Sequence, residues 1–204
     1  MIRGMKKIKT LYVSSVLLFT CSVSFADVFN SEDNSVELND KLRSVIEEFN
    51  PSFRLYNFDD YAPKVRSYYK DAKNILPMAV EGDFNGDRKL DIALMGYVKD
   101  EKPETHILMI LDYKESPSLH VVRSAGYYDP NTVVKLPANE DGDLEEQNGL
   151  IFYLSRLSSD HLEFPEGKVS SDALQLEIWG SSTTSAHVFR GDRVQPSSGI
   201  YIQQ

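Results

Sequence analysis

Apolar residues recur at helical intervals in the first third of the chain and alternate over the rest. Val36, Leu38, Leu42, Val45, Ile46 and Phe49 fall mainly on one helical stripe with charged residues between them, and Pro51 follows the stop. A first helix is therefore expected ahead of Pro51. Asp59-Asp60-Tyr61-Ala62-Pro63 predicts a second, with either aspartate as N-cap and Pro63 early in the first turn, where no N–H is needed. Val65, Tyr68 and Tyr69 would carry it to about Lys70. Phe53, Tyr56 and Phe58 read as aromatic packing between the two helices.

Beyond residue 76 the period falls to two. Asp91 to Met95, Thr105 to Tyr113, Leu119 to Arg123, Thr132 to Leu136, Leu150 to Leu157, Ala173 to Trp179, Ala186 to Arg190 and Arg193 to Gln195 are expected strands, separated by turn residues such as Lys114-Glu115-Ser116-Pro117. The expected class is α+β: two N-terminal helices packed on a mainly antiparallel β-sheet. A polar, flexible segment 27–35 would precede a single domain 36–204, with a helical part 36–76 and a mainly β part 77–204.

The segment Ala79 to Met95, AVEGDFNGDRKLDIALM, concentrates the candidate chemistry. Asp83, Asn85, Asp87 and Asp91 occupy positions 1, 3, 5 and 9 of a tight loop, and Lys89 at position 7 would offer its backbone carbonyl. Oxygen donors converging from a short loop are what Ca²⁺ requires, at roughly 2.3 to 2.6 Å. The expected metal ligands are thus Asp83, Asn85, Asp87, Lys89 and Asp91, with Ca²⁺ as the structural cofactor. An EF-hand does not fit: position 12 is Leu94 in a β-like run, where a bidentate glutamate opening a helix is needed. The alternative is an Asp/Asn-rich turn held by side-chain-to-backbone hydrogen bonds without an ion.

Export enters with residues 1–26. A basic head (Arg3, Lys6, Lys7, Lys9), an apolar core from Leu11 to Thr20 and Ser24-Phe25-Ala26 read as a cleavable signal peptide. The core is too short for a permanent membrane span. Phe19 and Thr20 fit poorly before an acylated cysteine, so lipoprotein formation at Cys21 is the lesser reading. The processed chain would contain no cysteine, which excludes disulfides and thiolate chemistry. It would also lose four basic residues and no acidic ones, taking the formal charge from -9 to -13. That balance disfavours nucleic acid and anionic membrane, and suits a cation or a basic protein partner.

Gly82-Asp83-Phe84-Asn85-Gly86-Asp87 followed by Leu90-Asp91-Ile92-Ala93-Leu94 closely resembles the FG-GAP or VCBS repeat, the calcium-loop-and-strand unit of integrin-like propellers and secreted bacterial proteins. With Asn50-Pro51-Ser52-Phe53, Phe58-Asp59-Asp60-Tyr61, the hairpin from Thr105 and the terminal AHVFRGDRV, the layout resembles a bacterial exported family carrying one copy of the loop. The resemblance implies the same five metal ligands. The chain departs from it at position 6, where many such loops have glycine and this one has Arg88. No second DxNxDxxxD repeat is present, so a full propeller is not expected.

The remaining motifs carry less. Asn139 to Glu146, including Asp141, Asp143, Glu145 and Glu146, reads as a solvated acidic loop, with a second ion or a basic partner as alternatives. Arg190-Gly191-Asp192 reads as a hairpin turn. His106, His120, His161 and His187 show no paired metal-ligand spacing, and Ser181 to Ser185 contains no GxSxG elbow. Trp179 reads as a core or sheet-edge anchor. The expected function is an exported, periplasmic or extracellular, noncatalytic calcium-binding domain of the protein-interaction or inhibitor/immunity type. A hydrolase of cell-wall or extracellular polymers and a structural envelope component are the alternatives.

Overall fold

The structure is a computed structural model that describes residues 28–30, 32–70, 75–137, 143–164, 167–168, 170–181, 184–190, 193–197 and 201–202. The expected leader, Cys21, Asp141 and the Gly191-Asp192 pair lie outside these residues.

The chain begins with a small hairpin, β1 (Phe29–Asn30) and β2 (Ser35–Val36), in which Phe29 pairs with Val36. Val28 and Phe29 are buried against the core. Helix α1 (Asp40–Phe49) follows. Asn39 caps it by accepting the Leu42 N–H at 2.9 Å, and Leu42 and Ile46 are buried one turn apart. Burying side chains of this size contributes roughly 1.5 to 3 kcal/mol each. The chain then leaves the helix at Asn50, whose backbone is extended ahead of Pro51.

Here the expected layout fails. Strand β3 (Phe53–Leu55) lies between the helices and pairs antiparallel with β6 (Asp91–Val98), setting Arg54 opposite Tyr97 and Leu55 opposite Gly96. A Cβ on Gly96 would fall inside contact distance of the Arg54 carbonyl and 2.5 Å from the Phe53 ring, which is why the pairing needs glycine there. Asp59 and Asp60 belong to a 3-10 turn, Phe58–Asp60, in which the Asp60 carboxylate accepts the Asn57 N–H at 2.7 Å. Neither caps helix α2 (Pro63–Tyr69), which starts after Ala62.

Among the described residues strand far exceeds helix. The α+β expectation of two helices layered on a sheet is therefore corrected: the described residues are mostly β, and among them are one ten-residue helix, one of seven, and no closed propeller. The cause is a pairing with a strand remote in the sequence. Phe53 and Leu55 are better served by a ladder with β6 than by helix packing, because that pairing also buries Phe53.

The main sheet runs in the order β4 (Ile75–Leu76), β5 (Ala79–Gly82), β6, β7 (Glu104–Leu111) and β8 (Ser118–Gly126), with β3 beside the second half of β6. β6 and β7 are buried on both faces almost throughout, so their alternating polarity disappears into continuous apolar runs. A hairpin of β9 (Val133–Pro137) and β10 (Leu144–Asn148) follows, and β10 occupies part of the stretch expected as an acidic loop.

A second antiparallel sheet comprises β11 (Phe152–Leu157), β14 (Ala173–Ile178), β15 (Thr184–Arg190) and β16 (Arg193–Ser197), in that order. Three short strands, β12 (Leu162–Phe164), β13 (Gly167–Lys168) and β17 (Tyr201–Ile202), form a third. β11 approaches β5 and β6, and β16 approaches β8, placing the second sheet against the first. Among the described residues no helix is long and apolar enough to cross a membrane.

Candidate metal centre

The loop with the five expected ligands joins two paired strands. β5 enters, β6 leaves, and Gly82 pairs with Asp91 across its base. Phe84 is fully buried and anchors the loop to the core.

The side chains of Asp83, Asn85, Asp87 and Asp91 all hold backbone. Asp83 accepts from the Gly86 N–H through Oδ1 at 2.7 Å and from the Arg88 N–H through Oδ2 at 2.9 Å. Asn85 Oδ1 accepts from the Asp87 N–H at 3.0 Å, and Asp87 Oδ1 accepts from the Lys89 N–H at 2.9 Å. The Asn85 and Asp87 bonds are successive Asx turns, each side chain holding the N–H two residues on, while Asp83 gathers the N–H groups three and five residues on. Gly86 and Arg88 have φ of 81° and 67°, so the chain turns left-handed twice. At Gly86 that is free; at Arg88 it costs about 1 kcal/mol or more. The departure at position 6 thus leaves the turn intact and places strain in it.

Asp91 is the buried member. It is fully inaccessible, its Oδ2 accepts the Phe84 N–H and its Oδ1 the Asp112 N–H, both at 2.8 Å. Desolvation outweighs these bonds and pushes its carboxyl up to about 6. Lys89 points elsewhere: its ammonium donates to Asp112 at 2.6 Å and lies 3.7 Å from Glu115, and the Asp112 bond holds its pKa above the ordinary value. Among the described residues no ion pair reaches Asp83, Asp87 or Asp91. Among them also, no three His, Cys, Asp or Glu side chains are gathered closely enough to hold a metal ion. The loop is assembled as a backbone turn, with its acidic side chains spread along it.

A contact without any local signal closes the site. Asp172, just before β14, accepts the Asp83 N–H at 3.1 Å through Oδ2 and the Ser159 N–H at 3.0 Å through Oδ1; its own N–H donates to the Asp83 carbonyl at 2.8 Å. Arg156 lies 3.8 Å from the same carboxylate. The loop therefore joins the first sheet to the second, and a Cβ on Gly86 would come 2.8 Å from Ser170 Oγ. Sequence reading missed Asp172 because its partners are remote in the chain.

The other candidates are dispersed. His106 Nδ1 lies 2.9 Å from Ser124 Oγ across the β7–β8 pair, its Nε2 lies 3.9 Å from Glu104, and Phe49 packs edge-on against the ring. His187 is buried with Nδ1 unpartnered, and burial, with Arg123 nearby, lowers its pKa. His120 meets Phe189 edge-on. Trp179 is half-buried and contacts Tyr68 and Tyr153 at ring separations of 5.4 and 6.1 Å. Phe53 and Tyr56 are core residues, and the Tyr56 hydroxyl bonds Thr105 Oγ1 at 2.7 Å.

Comparison of the chain with protein-family models, curated proteins and solved structures gave no match.

Proposed function

We propose that the protein is an exported, noncatalytic Ca²⁺-binding domain, in which loop 83–91 takes the ion in a structural role and the acidic surface serves a basic protein partner. The observation that carries this reading is the uncompensated charge of the loop. Asp83, Asp87 and Asp91 bring three carboxylates into nine residues, while of the two cations in the same stretch Lys89 is bound to Asp112 and Arg88, among the described residues, forms no ion pair with any of the three.

The backbone bonds are compatible with an ion. A carboxylate has about four lone-pair sites and an amide oxygen two, so an acceptor bond to an N–H leaves capacity for a cation. Every candidate donor is oxygen, which suits a hard ion. Asp83, Asn85, Asp87 and Asp91 would hold it through side chains and Lys89 through its carbonyl. Bound Ca²⁺ would supply the compensation that no ion pair among the described residues gives these three carboxylates. The protein's own contribution is to fix the donors in place by the N–H groups of Gly86, Asp87, Arg88 and Lys89.

Binding to the folded state alone stabilises it by about 4 kcal/mol at a free ion concentration a thousandfold above Kd. The test is thermal unfolding in calcium and in chelator. The folded protein should melt higher in calcium, and Asp83→Ala or Asp87→Ala should abolish that difference. Equal melting of the unmodified protein in both conditions would overturn the metal assignment.

A further inference from the structure

We propose that the cavity between α1 and β3 is a binding site for the carboxylate of a small organic monoanion. The cavity has a volume of about 570 Å³, within the range of roughly 300 to 1,000 Å³ typical of small-molecule sites. Arg43, Glu47 and Asn50 line it from one face of α1 and the turn after it, spaced four and three residues apart so that they stack along that face. Arg54 and Tyr97 line it from directly opposed positions of the β3–β6 pair. Ile46 and Leu55 add apolar wall.

Both arginines are pre-set and neither is neutralised. Arg43 donates through Nη2 to the Leu38 carbonyl at 3.2 Å. Arg54 donates through Nη1 to the carbonyls of Pro51 at 3.0 Å and Phe53 at 2.7 Å. Those two bonds occupy both hydrogens of Arg54 Nη1. Its Nε and Nη2 form the other edge of the guanidinium, two parallel donors matched to the two oxygens of a carboxylate. Among the described residues neither arginine forms an ion pair, although the chain carries a net charge of -9.

The charge of the lining selects the ligand. Two arginines and Glu47 leave one positive charge in the cavity, which a single carboxylate balances and a phosphate dianion would exceed. The Tyr97 ring with Ile46 and Leu55 then receives an apolar or ring-shaped body. This site lies apart from loop 83–91 and does not depend on the calcium reading.

The experiment is calorimetric titration of the full chain with phenylacetate, hexanoate and galacturonate, with phenylacetamide and inorganic phosphate as the neutral and phosphate arms. At least one carboxylate is expected to bind saturably, with the same affinity in calcium and in chelator. Arg43→Gln and Arg54→Gln should each weaken it by about tenfold or more, and Glu47→Gln, by removing the like charge, should tighten it by about threefold or more. Arg43 and Glu47 are exposed on the helix, so these two variants serve even if Arg54→Gln loosens its turn. Absence of saturable binding by all three carboxylates, equal binding of phosphate or phenylacetamide, or unchanged affinity in the Arg43 and Glu47 variants would each overturn the assignment.

Discussion

Asp91 offers a test of the loop's electrostatics in which the titration of every other carboxylate cancels. Burial raises its carboxyl from 3.8 to about 6. A folded carboxyl that holds its proton more tightly than the unfolded one favours the folded state in acid. The contribution is fully present below pH 3.8 and is lost as the pH rises through about 6. The whole shift corresponds to roughly 3 kcal/mol, of which about 2 kcal/mol falls between about pH 4.5 and pH 7.5.

Asp91→Asn removes this titration. It also leaves one of the Phe84 and Asp112 N–H groups facing an amide NH₂, an offset of about 1 to 3 kcal/mol that does not change with pH. Urea denaturation of both proteins in calcium-free buffer therefore gives a stability difference whose pH dependence belongs to Asp91. Relative to the variant, the unmodified protein should lose about 2 kcal/mol between about pH 4.5 and pH 7.5, or about 4 to 8 °C in Tm. A difference that stays flat across that interval would refute the claim that a strained, ionised carboxylate is buried under the loop.

Three further substitutions probe the frame. Gly96→Ala should destabilise by about 3 kcal/mol or more, because β3 must move off β6, and tryptic cleavage at Arg54 should accelerate accordingly. Asp172→Asn cannot accept from both Asp83 and Ser159, so urea unfolding should report a loss of about 1 to 3 kcal/mol. Arg88→Gly relieves the left-handed strain and should stabilise slightly, by about 0.5 kcal/mol after the added flexibility of the unfolded chain is subtracted, read as a small rise in Tm; a fall in Tm would show that the Arg88 side chain stabilises the turn.

The sequence was most informative where a signal was local. Of the stripe from Val36 to Phe49, the part from Leu42 lands on α1 while Val36 falls in β2 and Leu38 precedes the helix, and THILMILDY contains most of β7, because uninterrupted apolar runs ending in turn residues have few alternatives. The loop's turn was equally legible, since its side-chain-to-backbone bonds join residues only two to five positions apart. What escaped was decided by distant partners. Phe53 to Leu55 has the composition of a packing cluster and becomes a strand only because β6 lies alongside. Leu144 to Asn148 is too acidic to suggest a strand, yet it pairs with β9 through main-chain groups that composition does not reveal. The α+β expectation failed through such segments, since each was assigned by its own content. Likewise Arg43 and Arg54 sit eleven positions apart in elements of different type, with nothing in their spacing to announce a shared cavity.

The bonds between Asp83 and Asp172 span 89 positions. Contacts of such long sequence separation form late and slow folding, since the entropy of closing the intervening chain must be met before they can add any stability. Loop 83–91 can take up its own turns early, but its clamp arrives only with the last third of the polypeptide. The turn thereby acts as a seal on a finished molecule: a chain interrupted before residue 170 could make the loop and would still leave the Asp83 main chain without its partner.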